Sequence, residues 1–235
     1  MAFIGARAGS KGLKGKNIID LAGRPLIDWT IQAALGSKYV DRTVVSTDGE
    51  EIARVARTSG ADVPFSRPQE LATDESLLDE AIQHCVQWLK DKEKTSYDYL
   101  LLLQPTSPLR TSAHIDQAIE YFFEHKKSEQ DILIAVSLAP PKTGWLMHRN
   151  SAGYVQFSLD AGQRKHRRQE LPQFYFPNGF IYFGPQEIMR RISEVRDTMI
   201  PYVVDEAIAA DVDSKEDLEK AEAYISKNRM HYCEK

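Results

Sequence analysis

Between Ala2 and Ser137 the apolar positions follow two alternating rhythms. Short aliphatic or β-branched runs at Ala2–Ala6, Arg42–Thr47, Tyr99–Gln104 and Asp131–Ser137 have the length and composition of buried strands. The segments between them carry helical periodicity. Leu26–Leu35 follows Pro25, a residue suited to a first helical turn. Glu50–Ser59 repeats apolar residues at Ile52, Val55 and Ala56, and Ser76–Leu89 places Leu78, Ile82, Val86 and Leu89 on one face. Ser112–Phe123 follows the same spacing. Strand and helix in regular alternation predict βαβ units, hence an α/β fold with a mostly parallel sheet.

The rhythm breaks at Pro140-Pro141. From Lys142 to Pro177 aromatics, glycines and cations are scattered among short alternating pieces such as Tyr154-Val155-Gln156-Phe157, without a long helix. The expected division is therefore a core of residues 1–139 and 178–235 with an inserted lobe at 140–177. Regular structure is expected to resume with a strand at Phe180–Phe183, a helix near Pro185–Ile192 and a final helix from Ser214 to Lys227. Ser214 with Asp217 three residues on approximates a capping box.

Composition narrows the class. A chain of 235 residues with 42% hydrophobic and 27% charged residues can bury a full core. Its formal net charge of -4 argues against general nucleic-acid binding, so any anion site must be local. Cys85 and Cys233 lack metal-ligand spacing and fit a reducing compartment. The longest aliphatic run, Leu100–Leu103, is far too short to cross a bilayer. A cytoplasmic protein with neither a membrane nor a nucleic-acid partner is expected. The basic cluster Arg164–Arg168 is of a short, common type that carries little weight as an import signal.

The local anion site has an obvious candidate. Gly5–Asn17, GARAGSKGLKGKN, packs four glycines and four cations into thirteen residues directly after the first expected strand. Glycines let backbone approach a phosphate, while Lys and Arg neutralise it. The first acidic residue is Asp20, so Arg7, Lys11, Lys14 and Lys16 read as an uncompensated positive loop. It is not a Walker A loop, because Gly15-Lys16 is followed by Asn17 and position 10 is serine; nor does its glycine spacing supply the first pair of a dinucleotide fingerprint. A solvated surface loop is the plain alternative. Further polar stretches are Ser46-Thr47-Asp48, Arg67-Pro68 with Glu70-Leu71-Ala72, Leu100–Arg110 (LLLLQPTSPLR) and Ala210-Asp211-Val212-Asp213. Three of them end or follow expected strands, where open parallel sheets form their ligand crevice.

The ordered set ARAGSKGLKGKN, GRPLI, VSTD, RPQELATD, LLQPTSPLR, Arg168-Gln169 before Leu171-Pro172, PNGFIYF and DVD resembles the cytidylyltransferases that activate sialic acids and their legionaminic and pseudaminic relatives. The resemblance runs over nearly the whole chain. It implies a Rossmann-like, GT-A-like nucleotidyltransferase fold of three layers, a homodimer joined through the small inserted lobe, Mg2+ dependence, and conversion of CTP and a nonulosonic acid to a CMP-sugar and pyrophosphate. The related Kdo-activating family would show a tyrosine-containing loop where Ser10-Lys11-Gly12 stands here.

Position by position, the resemblance places Arg7, Ser10, Lys11 and Lys16 around the triphosphate, with Arg7 and Lys16 on the leaving pyrophosphate. It places Asn17 at the ribose, Arg67 and Gln104 at the cytidine, and Gln104, Thr106 and Ser107 beside the sugar acid. Lys142, Arg168 and Gln169 match positions that reach across the dimer to the sugar acid, for whose carboxylate an arginine fork is well suited. Asp211 and Asp213 have a reading of their own. On an extended segment residues i and i+2 face the same way, so two carboxylates can share a hard cation such as Mg2+; capping of the final helix accounts for one aspartate but not readily for both.

Some alternatives stay open. Gln104-Pro105 suits a strand terminator and Asn178-Gly179 a turn. Where relatives carry a second glycine this chain has Ala8, and Leu77 and Leu78 stand where several relatives have a serine near the base, which leaves the base contacts open. A nucleotide-sugar-dependent glycosyltransferase would also use Asp211 and Asp213 as a metal-binding pair, and a noncatalytic ligand-binding module would need the basic loop without both aspartates.

Overall fold

The computed structural model describes residues 1–9, 12–159, 167 and 170–228. Its six-stranded sheet takes its strands from β1 (Ala2–Gly5), β4 (Thr43–Ser46), β5 (Tyr99–Leu103), β6 (Ile132–Leu138), β9 (Tyr175–Pro185) and β10 (Met199–Val203), in the order β10-β6-β9-β5-β1-β4. All neighbouring pairs are parallel except the two made by β9, which runs antiparallel to both β5 and β6. The α/β class and mainly parallel sheet expected from the sequence are thus found. Two small ribbons complete the strands: β2 (Asp20–Leu21) with β3 (Arg24–Pro25), and β7 (Met147–Arg149) with β8 (Val155–Phe157).

Side chains alternate across each strand, which builds a core on both faces. Ala2, Ile4, Leu101, Leu103, Leu133 and Ala135 meet α1 (Leu26–Leu35), α2 (Glu50–Thr58) and α4 (Ser112–His125) through Ile27, Ile31, Ile52, Ala56, Ile115 and Phe122. Phe3, Leu100, Leu102 and Ile132 face α3 (Leu78–Trp88) and α5 (Gln186–Met189) through Ile82, Cys85, Val86 and Met189. A third cluster seats α6 (Lys215–Lys227) through Ala221 and Ile225 on Leu21, Leu26, Trp29, Leu109 and Val212. The Cys85 thiol is free, and burial pushes its pKa up to about 12.

Several elements depart from expectation. Pro25 stands at the N-cap of α1 with ψ 139°, outside the first turn, because the same residue pairs with Asp20. The helix expected over Pro185–Ile192 is a single turn, α5. Strand β10 was not anticipated. The expected strand Phe180–Phe183 is the middle of β9, which begins at Tyr175 opposite Leu138. Between β6 and β9 the described residues contain the 3-10 turn Pro141–Trp145 and the exposed β7–β8 ribbon. The capping box of α6 is present: the Ser214 hydroxyl accepts from the Asp217 N–H, and the Asp217 carboxylate accepts from the Ser214 N–H.

Strand β9 carries a register shift. Tyr182 lies opposite Ile134 but Pro177 opposite Val136, so two steps on β6 correspond to five on β9. The surplus residues surround Gly179, whose φ is +72°. Such a bulge re-aims the strand at its site. Below it Phe183 packs on Phe122, with ring centroids 5.1 Å apart, and Phe122 is fully buried. Phe122→Ala should lower the unfolding free energy by about 3–5 kcal/mol in equilibrium urea denaturation.

Candidate active site

The carboxyl ends of three adjacent strands lie side by side, with Gly5 opposite Ser46 and Ile4 opposite Leu103. The chain leaving β1 returns on one flank as β4, then crosses to the other flank as β5. The loops after β1 and β5 thus diverge at a topological switch point, where doubly wound sheets hold their ligands. Arg7, Asp48 and Gln104 all follow these strand ends directly.

The basic loop is held by side chains from elsewhere. One peptide unit, Arg7–Ala8, is clamped at both of its polar atoms: the Asn17 amide donates to the Arg7 carbonyl at 2.9 Å, and the Asp48 carboxylate accepts from the Ala8 N–H at 2.8 Å. Asn17 is buried. The Arg7 guanidinium donates to the Thr73 carbonyl at 2.7 Å and pairs with Asp74 at 2.8 Å. Lys16 Nζ meets Asp213 Oδ1 at 2.6 Å. The loop is therefore not uncompensated, as its sequence suggests; its counter-charges arrive from positions 74 and 213, beyond the reach of a local reading. Gly12 lies so close to the late segment that a Cβ there would stand 2.6 Å from the Asp213 carbonyl oxygen.

In that late segment Val212 is fully buried and its N–H donates to the Thr106 carbonyl at 2.8 Å, while Asp211 and Asp213 on either side of it are exposed. The Asp211 carboxyl is pushed above its ordinary pKa, first by the protein atoms that displace water around it and then by the charge of Asp213; a hydrogen bond from Thr106 and the charge of Lys16 oppose the shift. Among the described residues no group of three or more His, Cys, Asp or Glu gathers as a metal cage.

On the other flank Arg67 is buried, and its guanidinium donates to the Ser46 hydroxyl at 3.0 Å and the Ser46 carbonyl at 2.6 Å. Burial lowers its pKa, while Asp48 acts in the opposite sense. Leu78 packs near Gly5 and Arg67, whereas Leu77 is exposed at the start of α3. Gln104 caps β5, and its side-chain amide rests on Gly179: a Cβ there would fall 2.4 Å from Gln104 Oε1. Ser107 is fully buried, and its hydroxyl has no hydrogen-bond partner among the described residues.

The structure thus gathers Arg7, Lys16, Asn17, Thr106, Asp211 and Asp213 along one line of contacts, with Arg67 and Gln104 at the neighbouring strand ends. Lys142 is exposed on the 3-10 turn of the lobe. Ser10, Lys11, Arg168 and Gln169 lie outside the described residues.

Residues 1–230 match the family model described as cytidylyltransferase. The chain belongs to this family. It is 33% identical over 94% of its length to the N-acylneuraminate cytidylyltransferase of Escherichia coli O18:K1:H7, of which it spans only about half, 51%. It is 31% identical to the pseudaminic acid cytidylyltransferase of Campylobacter jejuni serotype O:23/36, over 97% of each chain. A solved CMP:2-keto-3-deoxy-manno-octonic acid synthetase in complex with CTP shares the fold, with a TM-score of 0.68 at 17% identity over 97% of this chain and 98% of that one. Family membership sets aside the glycosyltransferase alternative.

Other residues of this cytidylyltransferase chain went unassigned in the sequence reading: Asp48, Thr73 and Asp74, which hold the loop, and Thr30 and Arg110, which hold the turn after β5. Asp48, Thr73, Asp74 and Arg110 lie inside the strings already singled out; nothing marked Thr30, a buried polar position on an apolar helix face.

The raised Asp211 pKa has a consequence for stability. Ionising this carboxyl is harder in the folded chain than in the unfolded one, so its contribution falls as pH rises from its ordinary value, 3.8, toward the higher folded value. Asp211→Asn should therefore raise the melting temperature at pH 7 without divalent metal, and the gain should vanish below pH ~4.

Proposed function

We propose that the chain transfers the cytidylyl group of CTP to a nonulosonic acid of the sialic, legionaminic or pseudaminic type, releasing pyrophosphate. The observation that carries this reading is the Lys16–Asp213 contact at 2.6 Å, which brings the cationic loop and the late carboxylates to one place. In this reaction the anomeric hydroxyl oxygen bonds to the α-phosphorus, the bond from that phosphorus to the bridging oxygen breaks with its electrons leaving on pyrophosphate, and the hydroxyl proton passes to water. Catalysis of this kind is chiefly positioning and neutralisation of phosphoryl charge.

In this reading Arg7 and Lys16, with Ser10 and Lys11 of the same loop, hold the triphosphate, and Arg7 and Lys16 stabilise the departing pyrophosphate. Asn17 serves the ribose and keeps the Arg7–Ala8 peptide in place. Arg67 and Gln104 flank the cytosine, and Gln104, Thr106 and Ser107 border the sugar acid. Asp211 and Asp213 suit Mg2+: both are hard carboxylates two residues apart, and Asp211 sits in the repulsive field of Asp213, which a divalent cation would relieve. When bound, the metal supplies further neutralisation of phosphate charge. With two protein ligands available, water and phosphate oxygens would complete its shell.

The lobe at 140–177 supports a homodimer as part of the same proposal. Leu146, Met147, Tyr154, Val155 and Phe157 are exposed there, and Phe176 is exposed at the start of β9, apolar surface of the kind a second copy covers. Lys142, Arg168 and Gln169 would then reach the partner's sugar acid. No helix among the described residues is long and apolar enough to cross a membrane; a cytoplasmic setting accords with the free Cys85 thiol.

The deciding measurement is pyrophosphate release from CTP, ATP, GTP and UTP, each crossed with sialic, legionaminic, pseudaminic and Kdo acids. Release with CTP and a nine-carbon acid is expected; preference for another base or for Kdo would overturn the proposal. Asp211→Asn should abolish turnover while the protein stays folded, and Lys16→Ala should lower it by roughly two or more orders of magnitude. Full activity in the first variant would exclude the metal role, and an unchanged rate in the second would move the leaving group elsewhere.

A further inference from the structure

Arg110 is 2% exposed, and among the described residues it pairs with no carboxylate. One arm of its fork donates to the Phe180 carbonyl. The other donates to the Thr30 hydroxyl at 3.0 Å and to the Gln104 carbonyl at 3.0 Å, while Nε has no partner among the described residues. Burying an arginine without a counter-charge is costly, and a core needs no such residue for packing. Burial pushes its pKa down to about 9, which leaves it charged at neutral pH.

The backbone explains what the fork grips. The bulge in β9 takes Phe180 out of the strand register, its N–H is capped by the Asn178 side chain at 3.1 Å, and its carbonyl turns to Arg110. The Gln104 carbonyl sits where β5 ends and also accepts from the Thr30 hydroxyl at 3.3 Å and the Ser107 N–H at 3.3 Å. One planar group therefore ties α1, the tip of β5 and the bulge of β9 together. Gly179 of that bulge is the surface on which the Gln104 amide rests.

We infer that Arg110 is a positioning residue: its buried fork fixes the Gln104–Ser107 turn against the β9 bulge and so sets the Gln104 amide at the angle the substrates require. The inference takes the cytidylyltransferase reaction proposed above as its setting. Lysine cannot replace the fork, because its single nitrogen cannot span two carbonyls and a hydroxyl in fixed planar geometry.

Three variants separate fork, charge and packing. Arg110→Lys keeps charge and loses the fork, Arg110→Met loses both, and Thr30→Val removes one leg of the clamp at nearly constant volume. Each is followed by melting temperature, by kcat and KM for CTP and sugar acid, and by the side-chain amide signal of Gln104 in protein labelled with 15N-glutamine. Thr30→Val and Arg110→Lys are expected to stay folded, to lose about tenfold to a hundredfold in kcat with smaller changes in the KM for CTP, and to shift or broaden the Gln104 amide signal. If the arginine variants fail to fold, Thr30→Val alone decides. Wild-type kcat together with an unmoved Gln104 signal in folded Thr30→Val would overturn the inference. If wild-type protein releases no pyrophosphate with any acid, the proposed reaction fails, and the amide signal still reports whether the clamp holds Gln104.

Discussion

Val212 commits its side chain to the core and its N–H to the Thr106 carbonyl, and from these two attachments the geometry of the crevice follows. The residues on either side of it are exposed. Asp211 and Asp213 are those neighbours, and the Thr106 anchor sets them at the mouth of β5. From there Asp213 reaches Lys16, a residue 197 positions earlier, and Thr106 reaches Asp211. One valine thus brings the two ends of the chain to one place. The arrangement also sets Asp211, partly stripped of water, in the field of Asp213, a cost that Lys16 and Thr106 only partly offset.

Much of the fold could be read in advance because its central strands are buried on both faces and appear as plain aliphatic runs. Strand β10 escaped notice for the opposite reason. It lies at the sheet edge, alternates between exposed and half-buried residues, and contains Pro201, which an edge strand tolerates and a central one does not. The early part of β9 was hidden likewise, since Tyr175, Phe176 and Pro177 are exposed and carry no core pattern. In the crevice, strings that follow aliphatic runs were legible because strand ends are where ligands meet a parallel sheet. The partners of the cations were not. Asp74 and Asp213 find Arg7 and Lys16 only through tertiary packing, and Arg110 looks like one more loop cation until its burial is known.

Charge in this molecule is arranged unevenly. Arg42 with Asp62 and Glu93, or Lys38 with Glu120, are surface ion pairs of the sort that contribute little to stability. Arg67 and Arg110 are buried instead and satisfied largely by backbone carbonyls and hydroxyls, so their positive charge is not cancelled at contact. By contrast, Arg7 and Lys16 are already engaged by carboxylates. An anion arriving at the loop therefore exchanges one set of ion pairs for another, against a background of fixed positive charge set behind the strand tips.

The strand Tyr175–Pro185 has one end in the lobe and the other beside β5, with no break between them. Its eleven residues run past the left-handed Gly179, on which the Gln104 amide rests. The exposed rings of Tyr175 and Phe176 and the seat of a crevice side chain therefore belong to one continuous strand.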